Sequence, residues 1–425
     1  MFKIVGLIAI IGLVQTAATA SGQNLYNDPV LGSLITAALE NNPGLKAAEK
    51  TAEAMDYQVT PTGILPDPMF SVGLSGPIQD SWVGEPMAMP NVTLGITQKI
   101  PFPGKLGSMK NAARYMAEGS RRMADNRRFY LIADVKSAYY DLAYWQSALK
   151  TVEENIRYID DLEQVVREKY IVGKGLQTNV LNAQKTRTQL EDHKLMIEQM
   201  LETTEQMLAR LTGETVYADI RATLPESPLL PKQDLSSLIM LMKGNNPGLK
   251  KAETQVLTQQ QMTKKAKLDF LPDLSVGAVY GIRHENEMFP MFSADMFTFK
   301  IGFSLPIWAG WKQKNRLSSA RAGLKAAEYE YNDTRDRLQF MLSKSALAYE
   351  RNRSRYELYS ESLVPQTEGV LESARASYEV GALEFLDVIM AQMDLFNAQL
   401  EKQRSLADAL KALAEIEMLT AKVEN

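Results

Sequence analysis

The 425-residue chain has no cysteine, which excludes disulfides, thiolate metal sites and a cysteine nucleophile. Histidine is almost as scarce, with two copies. His193 stands among Glu191, Asp192 and Lys194, the pattern of a solvated helix surface, and His284 lies in a loop-like stretch. Neither has a second histidine four residues away, and there is no glycine-rich phosphate cradle. No enzyme and no cofactor are expected. Net charge is −4, so no basic surplus points to nucleic acid. Beyond the N-terminus no apolar run reaches the ~18 residues of a membrane-spanning helix, so any crossing by the mature chain falls to strands. Proline is missing over long distances, with none between Pro103 and Pro225 or between Pro306 and Pro365.

What is present begins with a leader. Lys3, the apolar stretch Ile4–Val14 and the small-x-small site Ala18-Thr19-Ala20 read as a secretory signal over residues 1–20. The apolar stretch is too short to span a bilayer as a helix. The lack of a cysteine after the site excludes a bacterial lipoprotein anchor. An exported chain is expected.

The rest is written twice. NNPGLKAAE at 41–49 returns as NNPGLKKAE at 245–253, and LPDP at 65–68 as LPDL at 271–274. KIPFPG at 99–104 is echoed by SLPIWAG at 304–310, and YIVGKGLQTNVLNAQ at 170–184 by YEVGALEFLDVIMAQ at 378–392. Order and spacing are kept, so the chain is a duplication: a first repeat over 21–223, a proline-containing linker at 224–231 (LPESPLLP) and a second repeat over 232–425.

Each repeat opens on a short helix, with Asn42 or Asn246 as N-cap and Pro43 or Pro247 at the first helical position. Two alternating segments follow. Phe70, Val72 and Leu74 alternate with small residues, as do Val92, Leu94 and Ile96. Leu274, Val276, Ala278 and Tyr280 alternate in the same way, and so do Phe297, Phe299, Ile301, Phe303 and Leu305. Period two means strands with one apolar face. The opposite face carries Thr93, Thr97, Thr298, Lys300 and Ser304 among glycines. Trp308 and Trp311 then sit where an interfacial aromatic belt belongs.

After the strands each repeat becomes helical. Lys105 to Val172 would reach roughly 100 Å as one helix, and Gly173 and Gly175 end it. A return helix over about 176–211 carries a narrow seam of Leu190, Ile197, Leu201, Leu208 and Leu211, the spacing of a coiled coil. The second repeat turns at Gly381, with Pro365 kinking or restarting its long helix and a seam of Val388, Ala391, Leu395 and Ala398. Tyr139, Tyr140, Tyr144 and Trp145 on the first long helix read as packing.

Four strands cannot close a barrel, and an open sheet in lipid leaves unpaired backbone groups at several kcal/mol each. Either the strands pack on helices in a soluble protein, or several chains pool them. The apolar face and the strand length favour pooling in a membrane, and three copies of four strands give twelve, enough for a water-filled lumen. The fold class expected is mainly α with a β-barrel portion.

The paired NNPGLK starts, the LPD–strand–loop–strand–IPFPGK order, the Tyr-x-Val-Gly turns and LDVIMAQ together resemble the TolC-like outer-membrane efflux family, over both repeats. The resemblance implies a homotrimer with a twelve-stranded barrel in outer-membrane lipid and a helical tunnel in the periplasm. Its partners would be an inner-membrane transporter and a periplasmic adaptor. The same fold serves drug pumps, metal pumps and type I protein secretion. The competing reading is a periplasmic coiled-coil structural or adaptor protein.

The resemblance also assigns sites. The turns Val172-Gly173-Lys174 and Val380-Gly381-Ala382 would form the periplasmic tip that meets the adaptor. Asp387 matches the first acid of the family's tunnel constriction, Met390 replaces the second, and Asn179 and Asn182 hold the corresponding places in the first repeat. Thr93, Thr97, Thr298, Lys300 and Ser304 would line the barrel lumen. Met87, Met89, His284, Met288 and Met291 fall in the loops between paired strands. Their soft donors suit Cu(I) or Ag(I), although with 21 methionines in the chain scattered loop methionines are the plainer reading.

Overall fold

The structure, a computed structural model, describes residues 28–75, 91–213, 220–225, 234–283 and 294–422. The leader, most of the linker and the Met- and His-bearing loops expected from the sequence lie outside these residues. Nine α-helices and four strands are described: α1 (Pro29–Asn41), α2 (Pro43–Thr62), β1 (Met69–Ser75), β2 (Asn91–Ile100), α3 (Lys105–Ile171), α4 (Gln177–Thr212), α5 (Leu235–Asn245), α6 (Pro247–Leu268), β3 (Leu274–Arg283), β4 (Met296–Phe303), α7 (Lys314–Leu358), α8 (Val364–Glu379) and α9 (Phe385–Thr420). They form two compact units, each built from both repeats. One takes residues up to 47, 125–247 and 335 onward; the other takes 48–124 and 248–334.

In the first unit the repeated NNPG string acts as a bolt. The Asn42 carboxamide oxygen accepts from Leu45 N at 3.0 Å, capping α2. Its nitrogen donates to Leu211 O at 2.9 Å, a carbonyl in the last turn of α4. Asn246 repeats the second bond, donating to Leu419 O at 2.9 Å near the end of α9. Both asparagines are buried, and Asn42 satisfies orphan groups at two helix ends with one carboxamide.

Each Asn also closes a helix that the sequence reading did not foresee. The Asn42 amide bonds to Ala38 O and the Asn246 amide to Met242 O, ending α1 and α5. These two helices start on Asp28, which accepts from Val30 N at 2.9 Å, and Asp234, which accepts from Ser237 N at 3.1 Å. Leu31, Leu34 and Ile35 of α1 pack with Leu131, Leu142 and Leu208 into the core. Of the expected seam, Leu190, Ile197, Leu208 and Leu211 are buried, Leu201 is half-buried, and Val388, Ala391, Leu395 and Ala398 are all buried. At Pro365, where a kink or restart is expected, the chain stays helical: a π-helical turn over Tyr359–Leu363 leads directly into α8, and the proline stands in the first turn after it.

In the second unit the strands form one antiparallel sheet in the order β1-β2-β3-β4. Register sets apolar against apolar: Phe70 opposite Ile96, Leu94 opposite Tyr280, Val276 opposite Ile301. The motifs flanking the sheet meet at one end. Lys105 donates to Asp273 Oδ1 at 2.7 Å and to Leu271 O at 3.0 Å, and the Phe102 amide donates to Asp273 Oδ1 at 2.8 Å. IPFPGK of the first repeat is thus tied to LPD of the second. Gly104, at φ +92°, makes the bend into α3 that a side chain would resist. Ser304 falls one residue beyond β4, and its hydroxyl accepts from the Asp273 amide at 2.9 Å.

Candidate functional site

Two places in the chain carry the candidate residues, one in each unit. In the first unit the two hairpin turns have the same construction. Gly173 (φ +73°) and Gly381 (φ +78°) occupy left-handed conformations. The Gly173 amide donates to Tyr170 O and the Lys174 amide to Lys169 O; the Gly381 amide donates to Tyr378 O and the Ala382 amide to Ser377 O. These bonds satisfy the last carbonyls of α3 and α8, which glycine at positive φ makes affordable sterically. The turns expose apolar side chains, with Val172 at 65% and Val380 at 81% accessibility, and Ile171 and Leu176 beside them.

Beneath the turns the hairpins are packed together. Val166, Ala183, Phe385 and Ile389 form a buried cluster drawn from α3, α4 and α9. The Lys169 ammonium lies 4.0 Å from the centre of the Tyr378 ring, a cation–π contact, and Tyr378 packs on Phe385 at 5.6 Å. Lys169, Tyr378 and Phe385 were not singled out from the sequence. The tyrosine of each Tyr-x-Val-Gly turn was visible, but which copy turns inward depends on the neighbouring helix: Tyr378 is half-buried and Tyr170 is exposed.

Asp387 and Asn179 are positional equivalents. Each lies in the first turn of a return helix, the Asp387 amide bonding to Glu384 O at 3.2 Å and the Asn179 amide to Leu176 O at 3.1 Å. An acid there is favoured by the positive end of α9. Asp387, Asn179 and Asn182 are all half-buried, and Met390 is exposed. Among the described residues no hydrogen bond or ion pair joins Asp387 to either asparagine.

In the second unit the sheet has two contrasting faces. Phe70, Leu74, Phe297, Phe299, Ile301 and Phe303 are each exposed by 60% or more. Thr93, Thr97, Thr298 and Lys300 alternate with them and share the other face with glycines. There the hydroxyls lie over the glycines: Thr93 Oγ1 bonds to Gly73 O at 3.2 Å and Ser275 Oγ to Gly302 O at 3.2 Å. At the end of this sheet Trp308 and Trp311 stack at 6.2 Å, both largely exposed.

At the same end, burial works to raise the Asp273 pKa, but the Lys105 hydrogen bond, the Phe102 amide and the nearby lysine charges outweigh it and leave it lowered. Asp273 therefore stays ionised and holds the strand–helix junction.

Comparison with known proteins bears on both places. The outer membrane efflux protein family matches this chain twice, over residues 34–214 and 238–422. The toluene efflux pump outer membrane protein TtgF of Pseudomonas putida is 24% identical over 416 residues, covering 93% of this chain and 83% of its own. The cation efflux system protein CusC of Escherichia coli O157:H7 is 24% identical over 417 residues, covering 91% and 85%. Among solved structures the outer-membrane channel OprN superposes with a TM-score of 0.82 at 17% identity, over 93% of this chain and 90% of its own. With both repeats matched by one family model, this chain belongs to the outer membrane efflux protein family.

Proposed function

We propose that the chain is the exit duct of a tripartite efflux pump. Three copies pool their strands into a twelve-stranded barrel in the outer membrane, and the helices lead inward to a periplasmic adaptor and an inner-membrane transporter. The observation that carries this reading is the sheet. Its apolar face is exposed strand after strand, and β1 and β4 are edges. Such a face is stable against lipid, and such edges are stable when paired with another chain. A coiled-coil adaptor has no use for either.

The duct does no chemistry. It conducts passively through a water-filled lumen lined by Thr93, Thr97, Thr298 and Lys300, with Ser304 at its inner rim, and the energy comes from the transporter. The exposed turns around Val172-Gly173-Lys174 and Val380-Gly381-Ala382 are the surface on which the adaptor docks. Cargo follows the partner pump: TtgF is named for toluene and CusC for cations, so the channel fold accepts both classes. Extraction tests the reading directly. A duct is released from outer membranes only by detergent and runs as a trimer, whereas a monomer released without detergent would overturn it.

Asp387 acts at the closed inner aperture, where three carboxylates around one axis repel each other and attract cations. Asn179 and Asn182 face the same constriction as neutral hydrogen-bonding groups. In planar bilayers, Asp387→Ala is expected to weaken the cation preference and raise the closed-state conductance. Conductance and selectivity unchanged from the parent protein would remove Asp387 from the gate.

A further inference from the structure

The two edges of the sheet are copies of strands that already pair inside the chain, and this fixes more than the fact of association. We propose that β4 of one copy pairs antiparallel with β1 of a second copy in one register, with Ile301 opposite Val72, Gly302 opposite Ser71 and Lys300 opposite Gly73. The inference rests on the pooled-barrel reading and adds to it the residue-by-residue register of the seam between subunits.

The register follows from the duplication. Phe70 faces Ile96 across β1 and β2, and Val276 faces Ile301 across β3 and β4. LPD at 65–67 returns at 271–273, so β3 repeats β1 at an offset of 206, and Pro101 after β2 is matched by Pro306 after β4, an offset of 205. The two pairings agree, since moving 70 and 96 by these offsets gives 276 and 301. Across the middle pair Ile96 faces Ala278. Moving that pair by the same offsets, 96 + 205 and 278 − 206, places Ile301 opposite residue 72 of the next copy.

The side chains agree with that arithmetic. On the polar face each internal strand pair sets a hydroxyl over a glycine, so closely that there is no room for a side chain on the glycine. A Cβ on Gly73 would lie 2.6 Å from Thr93 Oγ1, one on Gly95 2.6 Å from Ser71 Oγ, one on Gly277 2.9 Å from Thr97 Oγ1, and one on Gly302 2.7 Å from Ser275 Oγ. The seam repeats the device by bringing Ser71 against Gly302. It also gives Lys300, which faces Gly277 in its own chain, a second glycine, Gly73, on its other side. A long side chain thus lies between two residues that have none.

On the apolar face Ile301 meets Val72 and Phe299 meets Leu74. A slip of one residue would turn every phenylalanine of the seam to the wrong face. A slip of two one way would set Gly302 against Gly73 and lose the hydroxyl–glycine match; the other way would set Gly302 against Met69 and Lys300 against Ser71, keeping a match only at Thr298 and Gly73. Charge fits as well: Asp67, the counterpart of Asp273, is exposed beside β1, and Lys312 and Lys314 are exposed after β4, much as Lys105 follows β2.

A chain without cysteine is suited to the test. The double variant Val72→Cys/Ile301→Cys, in the full-length protein in outer membranes, is treated with a thiol oxidant and separately with a short bifunctional thiol reagent. Both positions are exposed, at 61% and 60%, so the substitutions leave the core alone. Phe70→Cys/Ile301→Cys and Leu74→Cys/Ile301→Cys report slips of two residues in either direction. The expected result is conversion of the first variant into covalent dimers and trimers on non-reducing gels, with the other two remaining mostly monomeric. Cross-linking through a slipped pair instead, or a detergent-extracted trimer that links through none of the three, overturns the register. A detergent-extracted monomer overturns the pooled barrel on which it stands.

Discussion

At the scale of single residues, Asn42 does two jobs with one carboxamide, capping α2 and holding the last turn of α4. Removing it with Asn42→Ala forfeits a cap worth about 1 kcal/mol and leaves the buried Leu211 carbonyl without its donor, at about 1–3 kcal/mol. The denaturation midpoint is expected to fall accordingly, and Asn246→Ala to act in the same direction through Leu419. Asn42→Asp keeps the acceptor that caps α2 but sets a carboxylate oxygen against the buried Leu211 carbonyl, so a midpoint below the parent's, despite the retained cap, reports the Leu211 bond.

Asp273 gives a pH signature. Its folded pKa is lowered, with burial opposing and the Lys105 and Phe102 hydrogen bonds prevailing. The folded protein therefore binds that proton less readily than the unfolded chain does. The stabilisation is present above the unfolded value of about 3.9 and is lost as pH falls through the lowered folded value. Asp273→Asn should be less stable than the parent near neutral pH and should converge with it in acid. Equal stability of the two proteins at neutral pH would remove the ion pair from the account.

At the scale of elements, the hairpin turns depend on two glycines at positive φ. Gly381→Val forces a β-branched residue into a region that costs roughly 1–2 kcal/mol for an L-residue. Hydrogen exchange is expected to quicken at the amides of residues 378–388, with the α1 core unaffected. The strands divide differently. Phe299 is on the apolar face and Lys300 on the face of threonines and glycines. A lysine at the bilayer midplane of the lipid-facing side costs about 2–4 kcal/mol, so Phe299→Lys should reduce the amount of protein recovered in outer membranes. Lys300→Ala should leave that amount unchanged while altering ion selectivity. Equal recovery of the two variants would contradict the assignment of faces.

At the scale of the whole molecule, the duplication does not give one compact unit per repeat. Each unit takes pieces of both, because strands from the two repeats pair into a single sheet and return helices from both enter the same clusters. The bonds that join the repeats are specific. Lys105 reaches Asp273 in one unit, and Lys411 reaches Asp141 at 2.8 Å in the other. Two halves that complete each other within one chain still leave β1 and β4 as edges, and it is these edges that the proposed pooling of copies would close.

Much of this was determined by the sequence alone. Period-two alternation located all four strands, the long stretches without proline and the glycines at the turns located the long hairpins, and the repeated strings showed the duplication, since these patterns act through neighbours along the chain. The starts of α1 and α5 were also written locally, in Asp28 and Asp234, but without a long periodic stretch behind them they were not read. Tertiary structure alone decided that Asn42 reaches across 169 residues to Leu211, that Tyr378 turns inward where Tyr170 does not, and that Asp273 answers to a lysine from the other repeat. Those outcomes depend on which distant backbone lies within a hydrogen bond's length, and no pattern along one stretch of chain carries that distance.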